Sequence, residues 1–236
     1  EAQKKENALI HCAQWITSTA GSSPASNPFS MLPEPLVFPV RLFTVTLIPA
    51  KTHPMPALDA VTDLITEVFD EIGGKVFLHT HEDEICGLIS NESLVASGRT
   101  LDKKLARLQR QVTTYFLDAP VIIYHDKPIS LAELRQGYQL CEDSKALAFY
   151  VGCSAPIKAT AHTVTAQPFH VSQAELSKTT AAAAQNADEL QMQIAVHTFF
   201  QNCAALCMPP QRVREACHLL LERPGENMIP QETLEQ

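Results

Sequence analysis

Residues 40–48, VRLFTVTLI, carry apolar or β-branched side chains at both alternating sets of positions. A strand that is apolar on both faces belongs inside a sheet, because an edge or surface strand would leave one of its faces in water. The segments after it repeat the demand for a covered sheet. PAKTHPMP (49–56) is a Pro-rich turn. ALDAVTDLITEVFDEI (57–72) spaces Leu58, Val61, Ile65, Val68 and Ile72 as one stripe of a helix, which Gly73-Gly74 stop. KVFLHT and EICGLIS read as two short strands around an acidic tip, hence a hairpin. A second helix over about 98–117 aligns Leu101, Leu105, Leu108, Val112 and Phe116, and APVIIYH (119–125) is a fourth strand. SLAE (130–133) has the spacing of a capping box and opens a third helix that ends before Gly152. The order β-α-β-β-α-β-α predicts an α+β domain, a ferredoxin-like antiparallel sheet with helices on one face.

The flanks have another texture. Residues 2–16 predict a helix with Leu9, Cys12 and Ile16 on one stripe, and 18–35, with four prolines and five serines, predict a linker or irregular loop. Beyond Gly152, SAPIKATAHTVTAQPFHVS is weakly patterned and reads as irregular. QAELSKTTAAAAQ, ADELQMQIAVHTFFQNCAALCM and QRVREACHLLLER (211–223) read as three helices, with Pro209-Pro210 separating the last two and a fraying tail after them. The expected organisation is therefore an N-terminal helix and Pro/Ser-rich linker over 1–35, the α+β domain over 36–152 and an all-helical extension over 153–236.

Composition removes several function classes. The chain is 45 % hydrophobic and 19 % charged, with a formal net charge of −8. Nucleic-acid binding by this segment is not expected, because a DNA or RNA footprint needs clustered Lys and Arg to displace counterions. The one basic run, KKLARLQR (103–110), spreads its charges around an amphipathic helix as a solvated face. No run approaches the 18 or so apolar residues of a membrane span. The chain starts at Glu1 without Met or a signal-like segment, which suggests a piece of a longer protein. Seven scattered cysteines without a CxxC fit reduced, buried thiols in a cytoplasmic protein. Cys203 and Cys207, one helical turn apart, with His218, offer thiol and imidazole ligands, but no tight second pair accompanies them, and burial on one helix face is the expectation.

Chemistry concentrates in FLHTHEDEICGLIS (77–90), with two histidines and three acids in the six positions 79–84, and in what that hairpin faces. His79 and His81, two apart on a strand, are expected on one face. Such a pair binds zinc when a third ligand arrives; a hydrolase built on His79, His81, Asp83 and His125 is one reading, and a solvated hairpin tip is the plainer one. No resident metal, no cofactor and no catalytic residue is expected.

A strand followed by an acidic hairpin in this element order resembles the GGDEF fold of diguanylate cyclases. His81-Glu82-Asp83-Glu84-Ile85 stands where that family has its five signature residues: the two acids match and the two glycines do not. A His and a Glu in place of glycines would block and repel a triphosphate. The first strand ends Leu47-Ile48-Pro49-Ala50, without the carboxylate that the family uses to hold metal, so the two-metal machinery is missing on both sides. A wider resemblance covers most of the chain. In many AraC-family response regulators, the YesN-like group, a degenerate GGDEF-like region lies between a receiver and a pair of helix-turn-helix motifs. The charged entry helix with FPVRLFTVTLI resembles that region. So do APVIIYHDKPISLAELRQGYQLCEDSKALAFYVG (119–152), with Pro128, Ser130, Leu134 and Tyr138 at matching positions, and the helical stretch from about 171 to 223. Gly137 and Cys141 depart from the usual Ser and Ala, and Tyr138 is expected as a core aromatic. The resemblance implies a non-catalytic regulatory module of a two-component transcription regulator, homodimeric, attached to its own receiver and DNA-binding domains. A ligand site, if carried over, would lie between the hairpin and the first strand, lined by Ile48, His79, His81, Glu82, Asp83 and Glu84. A nucleotide-binding or nucleotidyl-cyclase-like enzyme is the alternative.

Overall fold

Five strands form one mixed sheet. The computed structural model describes residues 2–18, 27–34, 36–48, 58–116, 120–160, 189–205 and 208–221. It divides into two compact units, Glu1–Ala161 and His162–Gln236. In the first unit the elements run α1 (Ala2–Thr17), a 3-10 turn (Pro28–Met31), β1 (Val40–Thr46), α2 (Leu58–Val68), β2 (Lys75–His81), β3 (Glu84–Ser90), α3 (Asn91–Ala96) and α4 (Leu101–Phe116). They continue with β4 (Val121–Tyr124), a 3-10 turn (Leu131–Glu133), α5 (Leu134–Ser144), a further 3-10 turn (Lys145–Leu147), α6 (Ala148–Val151) and β5 (Ile157–Lys158). β1 pairs antiparallel with β3 on one side and with β4 on the other, the central place its two-faced apolar pattern requires. β5 adds parallel to β4 and makes the sheet mixed.

Both faces of the sheet are covered, which corrects the expectation of helices on one face. Phe43, Val45, Leu47, Ile85, Ile89 and Ile122 meet α2 and α4 in one core. Val40, Leu42, Leu78, Cys86, Leu88 and Ile123 meet α1 and α5 in the other. All seven positions of β3 are buried, as its continuous apolar run demands when both sides are packed. The second layer draws in segments expected to lie outside the domain. Ala8, Cys12, Ala13 and Ile16 of α1 are buried, and so is Phe29 of the supposed linker, which meets Trp15 and Phe38 edge to face. The domain thus extends at both ends past the expected 36–152: α1 is part of its core, and residues expected to be irregular supply β5.

Two further expectations are adjusted. Lys104, in the basic run read as a solvated face, is buried; its ammonium donates to the Val68 carbonyl at 2.8 Å and pairs with Glu71. The capping box at 130–133 forms, with the Glu133 carboxylate accepting from the Ser130 amide at 3.2 Å. The third helix is interrupted by the 3-10 turn at 145–147 before Gly152 closes it at φ 76°.

In the second unit, α7 (Glu189–Ala205) and α8 (Pro210–Leu221) are separated near Pro209-Pro210, as the sequence predicts. α7 buries Ala195, Phe199 and Cys203 and leaves Leu190 and Ile194 exposed. The helix expected from QAELSKTTAAAAQ, the tail after 221 and Cys207 lie outside the described residues. Burial pushes the Cys203 thiol up to about 11, a protonated side chain at neutral pH.

Gly87 is a point of close packing in the sheet. It is the cross-strand partner of Phe43 on β1 and of Phe77 on β2, and a Cβ built on it would stand 2.2 Å from Phe43 Cζ. The two rings close over the glycine and, with Phe69, form an aromatic cluster with centroids 5.4–6.3 Å apart. Gly87→Ala is expected to displace the Phe43 ring and cost about 1–3 kcal/mol in a urea titration, where an alanine on an open strand surface would be neutral or better.

Candidate functional site: a buried carboxylate cluster

The acidic hairpin sends one of its acids into the core. Glu84 opens β3 opposite Thr46 of β1 and His81 of β2, and partners across an antiparallel ladder present their side chains to the same face. The β2–β3 register slips between His79 and His81, with His79 opposite Ile85 and His81 opposite Glu84. This is a β-bulge: one extra residue, Thr80, is inserted and both Thr80 and His81 come against Glu84. Because of it the two histidines separate. The His79 ring lies 2.9 Å from the Thr62 hydroxyl on the α2 side, whereas His81 stays with Glu84 on the α5 side. From above, α5 contributes Tyr138 and Glu142, and the turn that follows contributes Lys145.

Glu84 is 0 % exposed and its two oxygens receive four donors. Oε1 accepts from the Tyr138 hydroxyl at 2.7 Å and from the Thr80 hydroxyl. Oε2 accepts from Thr46 at 3.2 Å and from the Lys145 ammonium at 2.5 Å. An ionised carboxylate offers about four acceptor sites, so the group is filled. Burial works to raise its pKa, but the ammonium of Lys145 and the Thr80 hydroxyl prevail and hold it below the ordinary carboxylate value. Lys145 also stands 2.8 Å from both oxygens of Glu142. For Glu142 the balance falls the other way: burial and the neighbouring Glu84 carboxylate push it up to about 7 against the pull of Lys145. Burial, then the Glu84 charge, also raises the Tyr138 phenol, which stays a donor.

The arrangement holds a buried charge on four donors. Donor atoms of His81, Glu84 and Glu142 lie within 4.8 Å of one another, the one such trio among the described residues. The positive charge between its two carboxylates is already supplied by Lys145, so the trio is not assigned to a metal. Cys86 and Cys141 line the same core; burial raises both thiols, Cys141 to about 12, which leaves no thiolate nucleophile. Two clefts of the unit lie elsewhere. One, of about 350 Å³, is bordered by Glu71, Arg99, Lys103 and Arg107; the other, of about 430 Å³, by Lys5, Leu9, Thr62 and Phe77.

Of the six residues expected to line a ligand site, Glu84 and His81 come together. Glu82 and Asp83 form the turn, where the Asp83 carbonyl accepts from the Leu47 amide at 2.8 Å and ties the tip to the end of β1. Ile48 is 49 % exposed beside that turn, and His79 faces the opposite layer. His125, invoked with them for a hydrolase, lies against the Lys127 carbonyl at 2.9 Å. Sequence reasoning misses Thr46, Thr80, Glu142 and Lys145, and it expects Tyr138 as a core aromatic rather than as a partner of Glu84. A signal existed for the helix: Tyr138, Glu142 and Lys145 follow at i, i+4 and i+7, a polar continuation of the stripe through Leu134 and Cys141. Comparison with known proteins adds no relative: no family model matches the chain, and no curated protein or solved structure matches it.

Lys145→Ala would leave Glu84 buried without its counter-charge. The expected cost is about 3 kcal/mol at neutral pH by chemical denaturation. Glu84, with its lowered pKa, contributes stability above the ordinary carboxylate range and loses it as pH falls. The gap between variant and parent is therefore expected to narrow below about pH 4.5.

Proposed function

We propose that this chain is a non-catalytic signal-coupling module of a bacterial transcription regulator, resembling the degenerate GGDEF-like region of AraC-family response regulators and working in the cytoplasm. The observation that carries the reading is the fate of Glu84. Of the hairpin acids that match the cyclase signature, it is the one turned into the core, saturated with donors and neutralised by Lys145, so it is not offered to a metal-bound nucleotide. The residues that follow the first strand, Leu47-Ile48, offer no carboxylate to complete a metal pair. The strand order β2-β3-β1-β4, with α2 and α4 as crossovers packed on one face, supports the ferredoxin-like, GGDEF-like assignment.

Such a module acts by population shift: a ligand or a second copy that favours one arrangement moves the equilibrium by its differential affinity. α1, seated in the core of the sheet, is the element through which an upstream receiver would press on it, and a homodimer is the expected working form. The product of the complete reading frame is expected to bind DNA through helix-turn-helix motifs that follow this segment, and to lose its signal response, with DNA binding retained, when Lys145 is replaced.

The direct test is a thermal-shift titration of the chain with GTP, ATP and cyclic dinucleotides, each with and without Mg²⁺. A ligand present at about 100 times its Kd adds about 2.7 kcal/mol, a shift of several degrees. No magnesium-dependent shift with GTP or ATP is expected. A clear one would return the hairpin acids to catalysis and overturn the reading. A magnesium-independent shift with one small molecule would identify the effector.

A further inference from the structure

We propose that Glu84, Lys145 and Glu142 form a proton-operated latch. One proton, taken up or released at Glu142, fixes or frees the end of α5 and the strand by which the chain leaves the first unit. What the latch would transmit rests on the regulatory reading; its operation does not.

The geometry assigns the parts. Glu84 is fully buried with every acceptor site filled, so it stays ionised and offers no place for the mobile proton. Glu142 is only partly buried and shares the same ammonium at 2.8 Å. With Glu142 protonated, Glu84 and Lys145 balance and the cluster is neutral. With Glu142 ionised, two carboxylates contend for one ammonium in a poorly solvated place, and the cluster carries an uncompensated negative charge.

Ser144, between Glu142 and Lys145 in the chain, relays the change. Its hydroxyl donates to the Leu140 carbonyl at 2.7 Å and accepts from the Thr160 amide at 3.3 Å. Thr160 follows β5, which is held by the Ile123–Ile157 pairing and by the Ala159 amide on the Tyr124 carbonyl at 2.8 Å. Repulsion at the end of α5 therefore acts on the residues that carry the chain out of the unit.

The titratable groups facing Glu142 are His81 from β2, Glu84 and Cys86 from β3, Tyr138 and Cys141 from its own helix, and Lys145. β4 presents apolar Ile123, α1 meets the other end of α5 through Trp15 and Arg135, and Lys158 of β5 is paired with Asp126 at 2.5 Å. Glu142 is pushed up to about 7 by burial and by Glu84. A carboxyl raised on folding contributes stability fully present below its ordinary value of 4.5 and lost as pH rises through about 7.

The test is a pH titration of the whole chain by NMR, with ¹³C-labelled Glu carboxyls assigned through the backbone. Glu142 is expected to titrate near 7, with the amides of Ser144, Ile157 and Thr160 moving at the same midpoint. In Glu142→Gln those amides should no longer move at that midpoint, whereas in His81→Gln they should still do so. Relative to Glu142→Gln, the parent Tm should fall by about 2–4 °C between about pH 5 and 7.5. A Glu142 midpoint in the ordinary carboxylate range overturns the proposal. So do exit-strand amides that ignore the titration, or a midpoint that vanishes with His81. The carboxyl and amide titrations need only the parent chain, so a variant that fails to fold leaves them decisive. A latch that titrates as expected in a chain that also binds magnesium-GTP would sink the regulatory reading and keep the latch.

Discussion

A carboxylate with no exposed surface has to be rebuilt a solvation shell from the chain itself. Removing such an ion from water costs several kcal/mol even after relaxation, and only near-complete hydrogen bonding with a counter-charge offsets it. Glu84 meets that requirement with donors from four separate places: Thr46 on β1, Thr80 on β2, Tyr138 on α5 and Lys145 on the turn beyond. Each donor constrains the element that carries it. The hairpin cannot rotate, β1 cannot slide and α5 cannot lift from the sheet without leaving a buried charge short of a partner.

The same constraint accounts for the bulge. Without an extra residue in β2, regular alternation would place His79 and His81 on one face, as the sequence predicts. The slip at Thr80 gives Glu84 a hydroxyl and an imidazole neighbour on its own side and sends His79 to Thr62 on the other. Alternation alone cannot foresee this, since a bulge is decided by what the opposite strand must satisfy.

Regular elements were legible because their periodicities are local. The stripe Val61–Ile65–Val68 of α2, the stripe Leu101–Leu105–Leu108–Val112 of α4 and the hairpin all form where the pattern puts them. β5 was not legible, because a two-residue strand has no period and exists through its partner β4. The second layer was half legible: α1 shows its stripe but not the face it will cover, and Phe29 is buried within a stretch whose composition says loop. Of the site, the sequence marked the hairpin but treated its acids as solvated, since acidic residues are almost never fully buried without a partner. The partner of Glu84 sits on a distant helix end, and no local rule connects the two.

An ion pair of this kind is a weak source of net stability, since a well-packed apolar substitute often does as well. Its contribution is to register. A one-residue slip of β3 would exchange the two faces of the strand, carrying Ile85 and Ile89 toward α5 and Glu84 toward the α2–α4 layer. There the core is built of Val45, Ile65, Leu105 and Ile122, and the three hydroxyls and the ammonium that hold Glu84 stay behind on the other face. Apart from Gly87, whose place under the Phe43 ring Cys86 or Leu88 would have to take, the apolar residues would lose little from such a slip, because both faces of β3 are apolar and both layers are greasy. The strand most exposed to misregistration by its own composition is thus the one that carries the single charge able to tell its two faces apart.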